Sequence, residues 1–238
     1  ESIGESRKSI GYLGTLVQGP IYDAEVHSLD AHFVNSDGRV MIDSQFIYGG
    51  RDQEEGYGAL IDMTYAKSST LSHVVEIDYM DEDINFNDLG FLARNNYARL
   101  RYVMSFSKLD MGPSLSNYRT TLIAEQQYNL NDGLVTDSGL YWRSSIFLPR
   151  RQTLRMGVGY MPERFEDIDS RGNGSYKVDD RIWADLVLAT DSGRLASYSV
   201  GMGVLQEHLD DWTVNAKAGV TYRPVDWMSV DFDLDYRQ

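Results

Sequence analysis

The chain has 238 residues, no cysteine and a formal net charge of −14 at pH 7. The lack of cysteine excludes disulfides and thiolate metal centres, and the acidic balance argues against nucleic acid as a partner, because neutralising phosphates requires a surplus of Lys and Arg. No apolar run approaches the ~20 residues that a membrane-spanning helix needs.

Alternation with a period of two is the dominant pattern along the chain and indicates strands that are apolar on one face and polar on the other. It is clearest near the C-terminus, where Val214, Ala216 and Val220 interleave with Asn215 and Lys217. About thirteen strands of roughly 10 residues are predicted, the length that crosses a bilayer when a strand is tilted. In chain order they cover 10–18, 23–34, 39–49, 57–67, 71–80, 97–108, 116–129, 138–148, 153–160, 180–190, 196–204, 212–222 and 228–237.

The connections between these strands form a second pattern. Short turns with Gly, Pro, Asp or Ser chemistry occur at 36–38, 67–70, 149–152, 191–193 and 223–227. The two longest connections, 80–96 and 161–179, fall at the opposite edge of the predicted sheet. Tight turns at one edge and long loops at the other are typical of an up-and-down transmembrane β-barrel. Aromatic residues near the strand ends predict two girdles at the membrane boundaries. They are Tyr48, Tyr57, Tyr65, Tyr79, Tyr97, Tyr118, Tyr128, Tyr141, Trp212, Tyr222, Trp227 and Tyr236.

The strand number predicts that the barrel is incomplete. Single-chain bacterial barrels usually have an even number of strands, whereas about thirteen to fourteen are seen here, and the sequence stops at Arg237 and Gln238 just past a strand. We therefore expect residues 1–238 to form one outer-membrane barrel domain that is part of a larger barrel, with any signal segment and periplasmic domain outside this sequence. The alternative is that the strand count is wrong by one.

Two segments carry a family resemblance. The stretch 86–96, FNDLGFLARNN, and the stretch 159–162, GYMP, which leads into the acidic loop 165–174, resemble one family of bacterial outer-membrane proteins. Its members join an N-terminal domain similar to family 9 carbohydrate-binding modules to a C-terminal barrel classed as a domain of unknown function. The resemblance implies that this chain is the barrel part, and it implies no reaction.

The predicted alternation places ten charged side chains in the polar lumen. The predicted basic wall consists of Arg99, Arg101, Arg119, Arg143 and Arg155. The predicted acidic wall consists of Asp43, Asp62, Asp231, Asp233 and Asp235. Opposed rows of charge would create a transverse field that filters ions by sign. The alternative is that these side chains are solvated, or paired with charges on neighbouring strands.

Two acidic loops invite a calcium hypothesis, because hard cations prefer several oxygen ligands on a flexible loop. The candidate ligands are Asp81, Asp83, Asp167 and Asp169. The first loop is not an EF-hand, since Phe86 and Leu92 occupy the sixth and twelfth positions. The alternative is a pair of solvated acidic loops. No other cofactor is expected.

No catalytic motif is present, because the four His residues lack metal-ligand spacing and there is no Gly-x-Ser-x-Gly sequence. A hydrolase assembled from separate strands remains an open alternative to a protein that is not an enzyme. We expect a channel or uptake component for small polar solutes, or for a ligand captured by a periplasmic domain, in the bacterial outer membrane. The expected partners are outer-membrane lipid, lipopolysaccharide and a further protein. The alternatives are a non-conducting barrel that anchors or sheaths another protein, and a soluble β-protein.

Overall fold

The computed structural model describes residues 7–20, 22–51, 54–87, 92–113, 115–170, 173–207 and 211–238. Apart from one 3₁₀ turn, Pro149–Arg151, its regular elements are β-strands. The strands are β1 (Arg7–Gln18), β2 (Asp23–Val34), β3 (Val40–Arg51), β4 (Glu54–Ala66), β5 (Leu71–Met80), β6 (Tyr97–Leu109), β7 (Asn117–Asn129), β8 (Val135–Leu148), β9 (Gln152–Met161), β10 (Arg164–Glu166), β11 (Tyr176–Val178), β12 (Arg181–Ala189), β13 (Ala196–Gln206), β14 (Trp212–Val225) and β15 (Met228–Arg237).

Thirteen of these strands form one sheet in chain order, from β1 to β9 and then from β12 to β15. The neighbours whose register is defined are antiparallel, including β1 with β2, β8 with β9 and β14 with β15. This confirms the predicted all-β, antiparallel up-and-down fold. The predicted long connection 161–179 contains one further feature, since β10 and β11 form a small two-stranded sheet of their own.

The hairpin turns follow from local chemistry, as the β2–β3 connection shows. Gly38 has a φ of +70°, a left-handed conformation that glycine adopts without a steric penalty. Its backbone N–H donates to the carbonyl of Asn35 at 3.0 Å, and the side chain of Asn35 accepts the N–H of Val40 at 2.9 Å. The turn thereby fixes the register of β2 against β3.

The chain divides into two compact units, which we describe separately. Unit 1 comprises residues 1–104, 124–138 and 164–176. In its strands β2 to β5 one face, called here the polar face of unit 1, carries Asp43 of β3, which stands directly opposite Asp62 of β4. The other face carries Phe46, Ile61 and Ile77.

Unit 2 comprises residues 105–123, 139–163 and 177–238. The register of β9 and β12 to β15 places Val158, Leu186, Val200 and Met202 on its apolar face. The polar face of unit 2 holds Lys217 and Asp235 together with many glycines and serines. The period-two alternation of apolar and polar residues in the sequence therefore corresponds to side chains that point in turn to the apolar and the polar face.

The apolar faces are exposed, which is the opposite of the arrangement in a water-soluble sheet. Val200 is 59% exposed and Met202 62%, although each stands in the middle of a paired strand. Contiguous apolar surface of this kind marks contact with a membrane or with another protein. Within the described ranges, no helix is long and apolar enough to cross a membrane.

Aromatic rings form two bands on the apolar face of unit 1. In the first band His27 lies between Tyr12 and Tyr48, with ring centroids 6.0 and 5.9 Å away. In the second, His73 lies between Tyr65 and Tyr102, at 6.2 and 6.0 Å.

The spacing of the two bands matches the apolar belt of a barrel. Tyr57 packs against Tyr48 of the first band, and it lies about 26 Å along β4 from Tyr65 at ~3.3 Å per residue. An outer-membrane barrel has an apolar belt about 25 Å tall with aromatic girdles at its margins. Two aromatic residues predicted for the girdles do not lie on the apolar face. Tyr97 packs beside a buried cluster formed by Ile47, Met80 and Ile84, and Tyr141 stacks on Trp183.

Candidate functional site on the polar face

A ladder of charged side chains crosses the polar face of unit 1. At one end His32 Nδ1 lies 2.5 Å from Asp43 Oδ1. Asp43 stands opposite Asp62, and Asp62 stands opposite Glu76 on the next strand. Like charges directly opposite each other on neighbouring strands repel, so the middle of this ladder carries excess negative charge.

The other end of the ladder holds two arginines, and both form ion pairs with carboxylates. Arg101 donates to both carboxylate oxygens of Glu76, at 2.9 and 3.0 Å, and its Nε lies 3.3 Å from Glu125. Arg99 lies 2.5 Å from Asp78. The two predicted basic-wall residues of unit 1 are therefore bound to carboxylates of adjacent strands, whereas Asp62 faces two carboxylates.

The polar face of unit 2 holds the other predicted wall residues. Arg143 lies over the ring of Trp183, with its guanidinium carbon 5.8 Å from the centroid. In the part of the chain that the structure describes, neither Arg119 nor Arg155 forms a salt bridge, and both are exposed.

The predicted acidic-wall residues of unit 2 lie along β15. Asp231 accepts a hydrogen bond from Thr221 at 2.6 Å, Asp233 stands opposite Gly219, and Asp235 lies 3.4 Å from Lys217. The period-two alternation therefore assigns each predicted wall residue to the polar face of its own unit. Opposition of the basic and acidic rows across a lumen stays a prediction.

The β5–β6 loop, described at 81–87 and 92–96, packs onto the polar face of unit 1. Ile84 is fully buried at 0% exposure and contacts Ile47 and Met80 of the sheet. A Cβ atom added at Gly56 would lie 2.1 Å from the backbone nitrogen of Ile84. The missing side chain at Gly56 therefore provides the space that the loop occupies.

Asp81 fastens the start of this loop to the sheet. Its carboxylate accepts the backbone N–H of Tyr57 at 2.6 Å and that of Ile84 at 2.8 Å. The loop also closes on itself, because the N–H of Asn96 donates to the carbonyl of Asp81 at 2.9 Å. The loop is therefore held by hydrogen bonds as well as by the apolar contact of Ile84.

An ion pair joins the end of the β5–β6 loop to the β9–β12 connection. Arg94 donates to both carboxylate oxygens of Asp167, at 2.6 and 2.9 Å, and Asn129 donates to the same carboxylate at 2.7 Å. The two charged side chains are only 14% and 15% exposed. Burial acts to raise the pKa of Asp167, but the hydrogen bonds from Arg94 and Asn129 outweigh it, so that the pKa lies below its ordinary value.

Replacing Asp167 by Asn should loosen both loops. Arg94 would be left mostly buried without its counter-charge, at a cost of about 2–4 kcal/mol. We expect faster amide hydrogen exchange at 92–96 and 164–170 in the purified protein. Asp169→Asn in the same loop is the matched control and should exchange like wild type, since Asp169 is exposed. Equal protection in all three proteins would contradict the proposed tether.

The same ion pair predicts an acid dependence. Because folding lowers the pKa of Asp167, its stabilising contribution is complete above the ordinary carboxyl pKa of about 3.9 and is lost as the pH falls through the lowered value. Protection of the loops in wild type should therefore fall towards that in Asp167→Asn as the solution is acidified. A constant difference between the two proteins down to strongly acidic pH would contradict this assignment.

Three of the candidate calcium ligands, Asp81, Asp167 and Asp169, form hydrogen bonds in the described part of the chain. Asp81 and Asp167 accept the hydrogen bonds given above, and the N–H of Asp169 donates to Glu166 at 3.2 Å. Across the described ranges, no group of three or more His, Asp or Glu side chains is arranged to hold a metal ion. Calcium binding by Asp81, Asp83, Asp167 or Asp169 stays a prediction, and no such cluster supports it.

The carboxylate partners of Arg99 and Arg101 and the position of the β5–β6 loop on the polar face were not predicted from the sequence. Glu76, Asp78 and Glu125 have the parity of the polar face, so alternation alone could have placed them beside Arg99 and Arg101. The packing of the loop had a weaker sequence signal, namely the apolar side chains of Ile47 and Met80 at positions where the period-two alternation predicts polar ones.

The family model for a domain of unknown function (DUF5916) matches residues 7–238. The chain belongs to this family. No curated protein matches the sequence. Of the two segments with family resemblance, residues 88–91 and 171–172 lie outside the described residues. The link of the DUF5916 domain to a family 9 carbohydrate-binding domain stays a prediction.

A solved structure of a porin, refined at 1.8 Å resolution, is similar to the DUF5916 domain with a TM-score of 0.53. The match covers 98% of this chain and 94% of the porin chain, at 8% sequence identity. A likeness at this identity shows the fold, which is porin-like and all-β.

Proposed function

We propose that this DUF5916 domain is a β-barrel of the bacterial outer membrane that passes small polar solutes, as a channel or as the uptake component for a ligand captured by a periplasmic domain. Outer-membrane lipid and lipopolysaccharide would surround it. The porin-like fold and the exposed apolar faces with their aromatic bands support a membrane location. We propose no covalent chemistry for it.

The observation that carries the proposal is the charged ladder of the polar face, together with the β5–β6 loop that packs onto the same face. In an aqueous pore, charged rows set the sign of the ions that pass, and a loop on the wall narrows the path. The ladder combines repelling carboxylates at Asp43 and Asp62 with paired arginines at Arg99 and Arg101. Such a wall would favour cations or dipolar solutes.

A second candidate function is a non-conducting barrel that anchors or sheaths another protein. The observation that favours it is the tight seating of the β5–β6 loop, in which Ile84 is fully buried against the sheet. A loop held this firmly could close the path for solutes. The two functions differ in one property, because only the channel conducts ions in a planar bilayer.

Replacing Arg101 by Ala should increase cation preference in planar bilayers. The change removes one positive charge, takes away the ion-pair partner of Glu125 and leaves Glu76 with only the longer 3.9 Å contact to Arg99. The ratio of potassium to chloride permeability should therefore rise about two- to five-fold, as expected for one charge near the ion path in water. Reversal potentials under a salt gradient measure the ratio.

Arg39→Ala is the matched control for this experiment. It removes the same charge from the β2–β3 turn, where Arg39 is 60% exposed next to Asp37, and it should leave selectivity unchanged. An unchanged ratio in Arg101→Ala would contradict an ion path along the ladder. A folded, membrane-inserted wild type that does not conduct would favour the anchoring function instead.

A further inference from the structure

A cavity of about 570 Å³ lies on the polar face of unit 1 beneath the β5–β6 loop. Val26, Ile47 and Leu60 of the sheet form one wall, and Phe86, Leu92 and Tyr97 come from the loop and the strand that follows it. Every lining residue belongs to unit 1. The volume falls within the range of small-molecule sites in proteins.

The apolar character of this cavity is unexpected on its face of the sheet. Leu60 shares the parity of Asp62 on β4, and Ile47 shares that of Asp43 on β3, so a water-filled lumen predicts polar side chains at both positions. Packing of the loop explains part of this, since Ile47 and Met80 are buried against Ile84, and Val26 and Leu60 pack beside that cluster. Val26 and Leu60 nevertheless stay half-buried and line the cavity.

The polar groups of the cavity are few and electrically balanced. They are Ser28, Gln45, Arg94, Gln127 and the hydroxyl of Tyr97, and the charge of Arg94 is matched by Asp167. The cavity therefore has no net charge to attract a free anion, and the lining offers no carboxylate for a cation. The composition therefore fits an uncharged molecule with an apolar body and one or two hydrogen-bonding groups.

We propose that this cavity is a binding site for a small, uncharged amphiphile that carries a hydroxyl or amide group. The proposal rests on the proposed function in one respect, namely that the polar face is the wall of a lumen that solutes can enter. Phe86 and Tyr97 would pack against the apolar body. The side-chain carbonyl oxygens of Gln45 and Gln127 would accept from the hydroxyl or amide N–H of the ligand, because their amide nitrogens already donate to Ser28, Asp30 and Thr136. The site would then select amphiphilic solutes from the polar ones that share the lumen.

The test is a ¹⁹F NMR titration of 4-(trifluoromethyl)benzyl alcohol against the protein in phosphatidylcholine nanodiscs. Wild type should show saturable binding above the non-saturable partition into empty nanodiscs. Val26→Phe and Leu60→Phe each fill the cavity from a different strand and should weaken binding at least about ten-fold, as loss of the apolar contact surface requires. Two variants are used so that a folding defect in one does not decide the result.

Leu29→Phe is the matched control. It adds the same ring on β2, but Leu29 lies on the apolar face opposite Phe46, so binding should match wild type. No saturable binding to wild type, or equal binding by both cavity-filled variants, would overturn the site. Selective conductance without saturable binding would contradict the binding site but support the channel. Saturable binding without conductance would support the binding site but contradict the channel.

Discussion

Replacing Gly56 by Val should displace the β5–β6 loop and raise single-channel conductance. A Cβ atom at this position would lie 2.1 Å from the nitrogen and 2.3 Å from the Cα of Ile84, and backbone atoms cannot rotate away as a side chain can. The loop must therefore leave its seat on the polar face. We expect conductance in planar bilayers to rise about two-fold or more as the wall is uncovered.

Gly11→Ala is the matched control for this substitution. Its added Cβ would meet the Cβ of Asp30 at 3.9 Å, an ordinary contact, so conductance should match wild type. Ile84→Ala tests the same contact by changing the loop residue, since truncating a buried Ile to Ala lowers the free energy of unfolding by about 2–5 kcal/mol. Wild-type conductance in Gly56→Val, with loop amides still protected from exchange, would contradict the account of the loop.

Replacing Val200 by Arg should strongly destabilise the protein in a bilayer. Val200 stands in the middle of β13 on the apolar face, flanked by Leu188 and Ala218 on the paired strands. A charged side chain at the lipid-facing centre of a barrel costs about 2–4 kcal/mol. Reversible guanidinium unfolding from phosphatidylcholine vesicles measures this loss.

Ser199→Arg places the same charge one residue earlier on the same strand. Ser199 lies on the polar face opposite Gly219, where water or Asp233 can accommodate a guanidinium. Its free energy of unfolding should stay within about 1 kcal/mol of wild type. Equal losses in both variants would mean that the two faces of β13 meet the same surroundings, which the account excludes.

The strands could be predicted from sequence because their alternation is local. The predicted strands 23–34, 71–80 and 228–237 coincide with β2, β5 and β15, and the others differ mainly at their ends. Each strand of an up-and-down sheet pairs with the next along the chain, so the order of the strands follows once they are located. The polar or apolar face of a side chain then follows from its parity, as for Asp43 and Val200.

The loop contacts could not be predicted in this way, because they join residues that are distant in sequence and outside any periodic segment. Arg94 meets Asp167, 73 positions further along the chain, and no alternation relates them. The seat of Ile84 combines Gly56 from β4 with Met80 from β5. The positions of Tyr97 and Tyr141 were mispredicted for a related reason. A position near a strand end does not determine whether an aromatic side chain lies on the polar or the apolar face.

The candidate site was predictable in part for the same reason. Arg99 and Arg101 were placed on the polar face, but their pairing with Asp78 and Glu76 depends on the register of β5 against β6. A long loop joins these two strands, and a long loop leaves register open, whereas a tight turn fixes it. The apolar cavity below that loop had no sequence signal beyond its individual apolar residues.

A spin-label scan of β14 measures whether one face of the sheet meets lipid and the other meets water. The chain contains no cysteine, so single cysteines from Val214 to Thr221 can each carry a nitroxide in phosphatidylcholine vesicles. Labels at 214, 216, 218 and 220 should be accessible to oxygen and shielded from a water-soluble nickel chelate, and labels at 215, 217, 219 and 221 should show the reverse. Accessibility without a period of two, or nickel access on both faces, would contradict the account.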